Sequence, residues 1–338
     1  MNESAHILTC REGFEQALAT ESGGRFDPAQ PGMVLLETTP PAAPFIFERQ
    51  RMIAAQSLSA EATRPLALQT ARDMLAPILA EDTLWTTHAW SADPDMLSRV
   101  QGLEKALLQH AKKIDTGTWK CWRKPEKLAA RNTGFALQLF RSGEQVWHSV
   151  SPIEQLPDPY PGGIRRMKMD PDSPSRSYLK MEEALSYLDE EPQPGQRVVD
   201  LGAAPGGWSW SFLKRGCEVT SVDNGPMKIE QPEAFGGSLT HVRADGITYL
   251  PETPVDWMVC DMLIPPGQVI GMLRKWIDQG MTTRLIFNVK LPQQEAYEGL
   301  RPLAEYLETA TNGGLRIKQL YHDRREVTAF GVLNACSE

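Results

Sequence analysis

Hydrophobic positions in the second half of the chain recur in short strand-like runs, separated by stretches with helical spacing. The strand-like runs cover residues 197–201, 219–223, 241–243, 255–260 and 285–289. The helical stretches between them cover residues 208–214, 269–278 and 294–311. Strands that alternate with helices predict a parallel sheet that is covered by helices on both faces.

The end of the chain carries two further strand-like runs, residues 315–321 and 327–333, which only residues 322–326 separate. A connection this short permits a hairpin but not a crossover, so the last strand is expected to run antiparallel. A parallel sheet with a reversed last strand resembles the Rossmann-like fold of S-adenosylmethionine (SAM)-dependent methyltransferases. We therefore predict this α/β fold for residues 176–338.

The first half of the chain has a less regular pattern. Helical spacing over residues 96–111 and alternation over residues 134–140 indicate an α+β region. Between residues 151 and 175 lie six prolines and the pair Gly162-Gly163, a composition typical of an extended connector. The predicted organisation is an α+β region over residues 1–150, a linker over 151–175 and a catalytic domain over 176–338.

Composition narrows the class of protein. The chain has 338 residues, of which 41% are hydrophobic and 23% charged, as in a soluble protein with about two domains. It contains no apolar run near the ~20 residues of a membrane span, and its first residues lack the pattern of a signal peptide. The five cysteines show no metal-binding spacing. We expect a cytoplasmic protein that has no structural zinc and does not associate with membranes.

The net charge and the local distribution of charge point in opposite directions on whether the protein binds nucleic acid. The formal net charge of −8, from 35 basic and 43 acidic residues, argues mildly against a polyanionic partner. Residues 111–131 nevertheless contain seven basic residues with Trp119 and Trp122 among them, and a second basic stretch covers residues 165–180. Basic residues beside aromatic rings suit RNA, because rings stack on bases and cations meet phosphates. Two solvated surface faces would explain the same pattern equally well.

A glycine-rich turn follows the first predicted strand of the second half. Gly202, Gly206 and Gly207 stand there with Pro205, directly before a helical stretch. Glycines let a ligand approach the backbone closely, and the start of a helix offers free N–H groups. The spacing differs from the dinucleotide pattern G-x-G-x-x-G, which disfavours a nicotinamide dehydrogenase. A tight turn without a ligand is the alternative interpretation.

Charged side chains stand at the ends of the predicted strands. Asp223 ends the second strand, where a carboxylate can accept hydrogen bonds from ribose hydroxyls, and Asp245 follows the third, near an expected adenine amino group. Asp261 and Lys290 end the fourth and fifth strands, and Glu326 begins the reversed strand. All five residues are therefore expected at one edge of the sheet, although Asp223 and Asp245 could also cap turns.

Lys180 reaches the same edge from a helix. It lies in the first turn of a helix that Ser177 is expected to cap, and this helix precedes the first strand. A lysine in the first turn opposes the helix macrodipole, so its placement suits a catalytic role. Ordinary surface salt bridges would explain each of these charged residues singly, but not their shared edge.

Four of these residues, Lys180, Asp261, Lys290 and Glu326, resemble the K-D-K-E tetrad of the FtsJ/RrmJ-like RNA 2′-O-methyltransferases. More narrowly, residues 174–184, 200–208, 221–227, 257–262, 287–292 and 319–328 are similar to the RlmM family of large-subunit ribosomal RNA cytidine 2′-O-methyltransferases. The resemblance implies SAM as cofactor, no metal, and large-subunit ribosomal RNA as partner. It also implies a ferredoxin-like subdomain at residues 1–60 and a THUMP-like RNA-binding domain at residues 61–150. We expect the enzyme to act as a monomer.

The resemblance also implies a role for each site residue. Lys290 is the expected base for the ribose 2′-hydroxyl, and a lysine base requires burial or a nearby like charge, here Lys180. Asp261 would orient Lys290 and approach the methionine end of SAM, while Glu326 and Lys180 would position the ribose. The expected SAM-binding residues are Ser177, Gly202, Ala204, Pro205, Gly206, Gly207, Trp208, Asp223, Asp245 and Asp261. The family pattern has a cysteine at the position of Ala204.

Two other functions stay open at this point. The first is a SAM-dependent enzyme that methylates a protein side chain or a small molecule. The lysine pair disfavours it, because methylation of an amine has little use for two cations around the acceptor. The second is a noncatalytic RNA-binding or ribosome-assembly factor with the same fold, against which the intact tetrad argues.

Overall fold

The chain divides into two units in the computed structural model, Met1–Ile164 and Arg165–Glu338. The structure describes residues 5–58, 66–79, 83–262 and 264–333. None of the helices in these ranges is both long enough and apolar enough to cross a membrane. Each unit has its own sheet.

The first unit is an α+β structure. Its strands are β1 (Ala5–Thr9), β2 (Met33–Leu36), β3 (Gln50–Leu58), β4 (Trp85–Ser91), β5 (Phe135–Ser142) and β6 (Gln145–Pro152). Its helices are α1 (Glu15–Ser22), α2 (Leu68–Leu79), α3 (Leu97–Ile114), α4 (Thr116–Cys121) and α5 (Pro125–Ala129). The strand order is β2-β1-β3-β6-β5-β4, in which β4 and β5 run parallel and the other neighbours run antiparallel.

Helix α3 shows how the sequence pattern produces this unit. Its buried residues Val100, Leu103, Leu107 and Ala111 recur every three or four positions, so they share one face. That face joins a core with residues of α2 and the sheet. The helix predicted from residues 96–111 is confirmed, and the alternation over residues 134–140 corresponds to β5.

Strand β3 joins the two parts of this sheet, because it lies between β1 and β6. Its earlier residues pair with β1, whereas residues 56–58 pair with β6. The predicted boundary between residues 60 and 61 lies outside the described residues. Strands from both sides of that boundary nevertheless belong to one sheet.

The first part of the predicted linker is packed rather than extended. Residues up to Ile164 belong to the first unit. Gly163 has a φ of +66°, and a Cβ atom there would lie 2.0 Å from the carbonyl oxygen of Arg49; one at Gly162 would lie 2.8 Å from the ring of Trp90. These glycines therefore permit close packing, a use that composition does not distinguish from flexibility.

The second unit has the predicted arrangement of alternating strands and helices. Its strands are β7 (Arg197–Leu201), β8 (Glu218–Val222), β9 (Ser238–Val242), β10 (Val255–Cys260), β11 (Thr282–Lys290), β12 (Leu315–Lys318) and β13 (Glu326–Val332). Its helices are α6 (Tyr178–Leu185), α7 (Gly207–Leu213), α8 (Pro266–Asp278) and α9 (Ala296–Thr311). The strand order is β12-β13-β11-β10-β7-β8-β9.

The reversed last strand is confirmed. Strands β7 to β11 run parallel to one another, and β13 runs antiparallel between β11 and β12. The register places Lys290, the last residue of β11, opposite Glu326, the first residue of β13. The strand order reverses on either side of β7, and ligands of open α/β sheets bind at the carboxyl ends of the strands beside such a point.

Candidate active site

Helix α6 brings Lys180 to the carboxyl edge of the second sheet. Ser177 occupies the residue before this helix, as expected, but its hydroxyl does not cap it. Instead the Ser177 hydroxyl donates to the Ser175 hydroxyl at 3.1 Å, and its carbonyl accepts the indole N–H of Trp208 at 3.0 Å. Ser177 therefore ties the start of α6 to the glycine-rich turn.

A lysine held between two carboxylates forms the centre of the site. The Lys180 Nζ lies 2.8 Å from Glu326 Oε1 and 3.3 Å from Asp261 Oδ1, and all three side chains are largely buried. Burial favours the neutral amine, but the two carboxylates outweigh it and raise the pKa of Lys180. Burial likewise opposes ionisation of Glu326, yet its bond to Lys180 lowers the Glu326 pKa. The structure thus brings together three of the four predicted tetrad residues as a charged cluster.

Two residues that sequence reasoning missed support this cluster. The side-chain amide of Asn288 donates to Asp261 Oδ1 at 2.6 Å, and the Thr328 hydroxyl donates to Asn288 Oδ1 at 2.8 Å. The same hydroxyl lies 3.0 Å from Asp323 Oδ2, whose pKa burial raises well above its ordinary value. Asn288 lies two residues before Lys290 on β11. Alternate residues of a strand point to the same face of the sheet, so this spacing was the signal in the sequence that could have placed Asn288 near the site.

Lys290 does not take part in the ion-paired cluster of the other tetrad residues. Its backbone ends β11 opposite Glu326, but its side chain is exposed. It forms no ion pair with any residue that the structure describes. The burial that a lysine base requires is therefore not found in the protein alone.

A cleft opens beside the charged cluster. Its volume is about 380 Å³. The lining residues are Arg176, Ser177, Leu179, Lys180, Asp261, His322, Arg324 and Glu326. A space of this size next to fixed charges can hold a small polar group such as a nucleotide ribose.

The glycine-rich turn lies between β7 and α7, as predicted. Gly202 and Gly206 have positive φ values of 73° and 116°. A Cβ atom at Gly202 would lie 2.3 Å from the Met262 side chain, and one at Gly207 would lie 2.5 Å from the Ser177 hydroxyl. Any larger residue at these two positions would push the turn away from its neighbours. Ala204 and Pro205 are joined by a cis peptide bond.

Buried Asp200, near the end of β7, connects this strand to α7. Its Oδ2 accepts the Ser209 hydroxyl at 2.6 Å, while its Oδ1 has no hydrogen-bond partner among the described residues. Burial raises the pKa of Asp200 to about 7. A buried oxygen without a hydrogen-bond partner costs stability, because water no longer solvates it.

The two other predicted cofactor carboxylates also support turns. Asp223 accepts the backbone N–H of Ala204 at 3.0 Å and that of Gly225 at 2.6 Å. Asp245 is exposed and accepts the backbone N–H of Ile247 at 3.0 Å. Both positions lie at carboxyl ends of neighbouring strands, and free lone pairs remain on each carboxylate. Carboxylate oxygens with free lone pairs can accept hydrogen bonds from an amino group and from ribose hydroxyls, which SAM carries.

A separate surface in the first unit carries exposed positive charge. The basic residues of segment 111–131 are all exposed, namely Lys112, Lys113, Lys120, Arg123, Lys124, Lys127 and Arg131. Trp119 and Trp122 stack on each other with ring centroids 5.7 Å apart, and both are partly buried against the core. We call this segment the basic segment. Its cations are accessible, whereas its tryptophan rings mainly complete the packing.

Comparison with known proteins agrees with this geometry. Residues 174–297 match the FtsJ-like methyltransferase family. Ribosomal RNA large subunit methyltransferase M of Laribacter hongkongensis is 36% identical, over 96% of this chain and 95% of that protein. The protein of the same name from Xylella fastidiosa is 33% identical, over 98% of this chain and 99% of that protein.

A more distant similarity exists among solved structures. Magnesium protoporphyrin IX methyltransferase (ChlM) from Synechocystis PCC 6803 with bound SAM is 17% identical and has a TM-score of 0.33. That similarity covers 46% of this chain and 79% of the other. It is too weak to support a functional argument.

The reversed strand, the glycine-rich turn and the matched family together define a SAM-dependent methyltransferase of the FtsJ-like class. The identities over nearly the whole chain go further. This chain belongs to the ribosomal RNA large subunit methyltransferase M family. The predicted methyltransferase fold of the second unit, the enzyme class and SAM as cofactor are confirmed. Membership of this family argues against the dehydrogenase and noncatalytic alternatives.

Proposed function

We propose that the enzyme transfers the methyl group of SAM to the 2′-hydroxyl of a cytidine in large-subunit ribosomal RNA. The observation that carries the proposal is the cluster of Lys180, Asp261 and Glu326 beside an open cleft. The relatives are named as methyltransferases of large-subunit ribosomal RNA, which supports the substrate class. A fixed lysine with two carboxylates suits a neutral hydroxyl as the group that receives the methyl. The hydroxyl can accept a hydrogen bond from the lysine and donate one to a carboxylate.

The glycine-rich edge is the proposed SAM site. The residues proposed to hold the cofactor are Ser177, Gly202, Ala204, Pro205, Gly206, Gly207, Trp208, Asp223, Asp245 and Asp261. When bound, SAM supplies a methyl group that its sulfonium already activates. The protein's own task is therefore to position the acceptor and to remove its proton.

Lys290 is the proposed base. As the neutral amine, its Nζ would take the proton of the 2′-hydroxyl, so that the 2′-oxygen can accept the methyl group as the bond from that methyl to the SAM sulfur breaks and the thioether product leaves. Its position at the end of β11, opposite Glu326, supports this role. The Lys290 side chain is exposed, which leaves its Nζ accessible to the bound RNA. Lys180, Asp261 and Glu326 would fix the ribose next to it.

The first unit is proposed to bind RNA through the basic segment, as a ferredoxin-like subdomain followed by a THUMP-like domain. Its exposed cations support this role, since contacts to phosphates supply most of the affinity for nucleic acid. We further propose that the enzyme acts as a monomer in the cytoplasm.

The product nucleoside tests the proposed function. Protein-free large-subunit ribosomal RNA from a strain that lacks the enzyme would be incubated with the protein and methyl-labelled SAM. The RNA would then be digested to nucleosides. We expect label in 2′-O-methylcytidine, and label in a base-methylated nucleoside or in protein would contradict the proposal.

A further inference from the structure

We propose that His322 contacts the RNA in the methyltransferase cleft, held in place by the buried carboxylate of Glu183. We further propose that, together with Arg176 and Arg324, it receives the phosphate that adjoins the methylated ribose. This inference rests on the proposed function and adds a substrate subsite to it. It starts from a buried carboxylate that the tetrad does not use.

Glu183 is fully buried on α6, one turn beyond Lys180. A buried carboxylate is costly unless it is fully hydrogen-bonded. Glu183 meets this requirement by accepting the backbone N–H of Tyr321 at 2.8 Å and that of His322 at 2.9 Å. It also accepts from the Nδ1 of His322 at 2.7 Å. The helix that places Lys180 therefore also fixes the turn between β12 and β13.

The contact with Glu183 orients the His322 ring. A carboxylate can only accept, so Nδ1 carries a hydrogen and Nε2 is the nitrogen left for another partner. Nε2 donates to a phosphate oxygen in the imidazolium form of the ring, in which both nitrogens carry hydrogen. The side chain is 14% exposed, and it lines the cleft with Lys180, Asp261 and Glu326. Because Glu183 fixes the ring through Nδ1 and the residue lines the cleft, Nε2 has a defined orientation for contact with a ligand.

The chemistry of the acceptor explains why a cation-rich wall is needed there. A ribose that is methylated on its 2′-oxygen carries the phosphodiester on the neighbouring 3′-oxygen. Asp261 and Glu326 would repel that phosphate. Arg176 and Arg324 line the same cleft, and neither guanidinium forms an ion pair with another described residue. Guanidinium groups are the preferred partners of phosphate.

A matched pair of variants separates substrate contact from mere support of the turn. His322→Asn keeps an amide nitrogen near the position of Nδ1 for Glu183 but removes the cleft-facing nitrogen. His322→Gln places an amide nitrogen near the position of Nε2 but loses the contact with Glu183. We expect His322→Asn to raise the KM for RNA about tenfold, with SAM affinity and thermal stability unchanged. We expect His322→Gln to recover part of that loss. A purely structural role predicts the reverse order.

Arg324→Gln provides an independent readout. Loss of one phosphate contact should weaken RNA binding and reduce the slope of log affinity against log salt by about 0.7. Arg301→Gln, which alters an exposed arginine on α9 outside the cleft, is the matched control and should change neither quantity. The substrate is protein-free large-subunit ribosomal RNA, and the full chain is used throughout.

The outcomes separate this inference from the function on which it rests. A wild-type protein that methylates the RNA, with a His322→Asn variant of unchanged KM, overturns the phosphate subsite alone. An unchanged salt slope in Arg324→Gln does the same. A wild-type protein that transfers no methyl group to RNA overturns the proposed function, and the subsite with it.

Discussion

The two units of this chain use positive charge in opposite ways. In the second unit, Lys180 is largely buried and bonded to Asp261 and Glu326. In the first unit, the cations of the basic segment are all exposed. A buried cation fixes geometry, because its carboxylate neighbours depend on it for their own charge. An exposed cation acts through a field that salt screens. The difference teaches that loss of Lys180 should appear in chemistry and stability, and loss of the cations of the basic segment in RNA affinity.

Lys290→Ala should give the largest effect and tests the chemical side of the comparison. A general base contributes about 10²–10⁴-fold to a rate, so single-turnover methyl transfer should fall by about that factor. SAM affinity should stay nearly unchanged, because the exposed Lys290 side chain is proposed to act on the RNA. Lys275→Ala, at an exposed lysine of α8, is the control. Comparable losses of transfer and of SAM binding would contradict the assigned role.

Lys180→Met tests how much the buried cation of the second unit contributes to stability. The variant removes the charge but keeps much of the apolar part of the side chain. Breaking a buried pair costs about 3 kcal/mol of unfolding free energy. The lowered pKa of Glu326 adds stability above its ordinary pKa of about 4.3, which is lost as pH falls. The raised pKa of Lys180 adds stability below about 10.4, which is lost as pH rises. The deficit of the variant should therefore be largest between these limits.

Urea denaturation at several pH values measures this deficit. Lys275→Met replaces an exposed lysine and should show no such pH-dependent loss. A Lys180→Met protein with wild-type stability at neutral pH would mean that Lys180 does not hold the two carboxylates together.

Asp200→Asn tests whether ionisation of buried Asp200 lowers the free energy of unfolding as pH rises. Because burial raises the folded-state pKa of Asp200 to about 7, its contribution is fully present below about 3.9 and is lost as pH rises towards 7. The isosteric amide cannot ionise, so the variant should lose less stability over this range than the wild type. Asp278→Asn, at an exposed position on α8, is the comparison. Parallel pH profiles for wild type and Asp200→Asn would show that Asp200 is not the cause.

The smallest effect is expected in the first unit. A triple change of Lys112, Lys120 and Lys124 to glutamine should weaken RNA binding and reduce its salt slope by about 0.7 for each lost phosphate contact. The rate at saturating RNA should not change. Arg72→Gln on α2, outside the basic segment, is the control. A lower saturated rate with unchanged affinity would break the division between the units.

The fold of the second unit is predicted well from the sequence, because the order and direction of the strands determine where its charged residues lie. Parallel strands must end at one edge, so Asp223, Asp261 and Glu326 could be placed together from strand ends alone. The register between β11 and β13 then explains why Lys290 and Glu326 meet in the backbone. Side-chain direction is not contained in that argument, which is why the exposure of Lys290 was not foreseen.

The strand pairing of the first unit is harder to predict from the sequence, for a physical reason. Strands β1, β3 and β6 pair across long separations, and no glycine or charged motif marks which pairs form. Gly162 and Gly163 contribute to the composition that predicts an extended connector, but in the structure they permit close packing on Arg49 and Trp90. Glu183 and His322 were missed for a similar reason, since their contact depends on the turn that brings them together.

The position of the methyl label in the RNA tests the central claim most directly. Protein-free large-subunit ribosomal RNA would be methylated with labelled SAM by the wild-type protein and by Lys290→Ala, and the modified nucleotide would be mapped. The account predicts label on the 2′-oxygen of a single cytidine with the wild type, and label that accumulates about 10²–10⁴-fold more slowly with the variant. Label at many positions, on a base, or at equal levels with both proteins would contradict it.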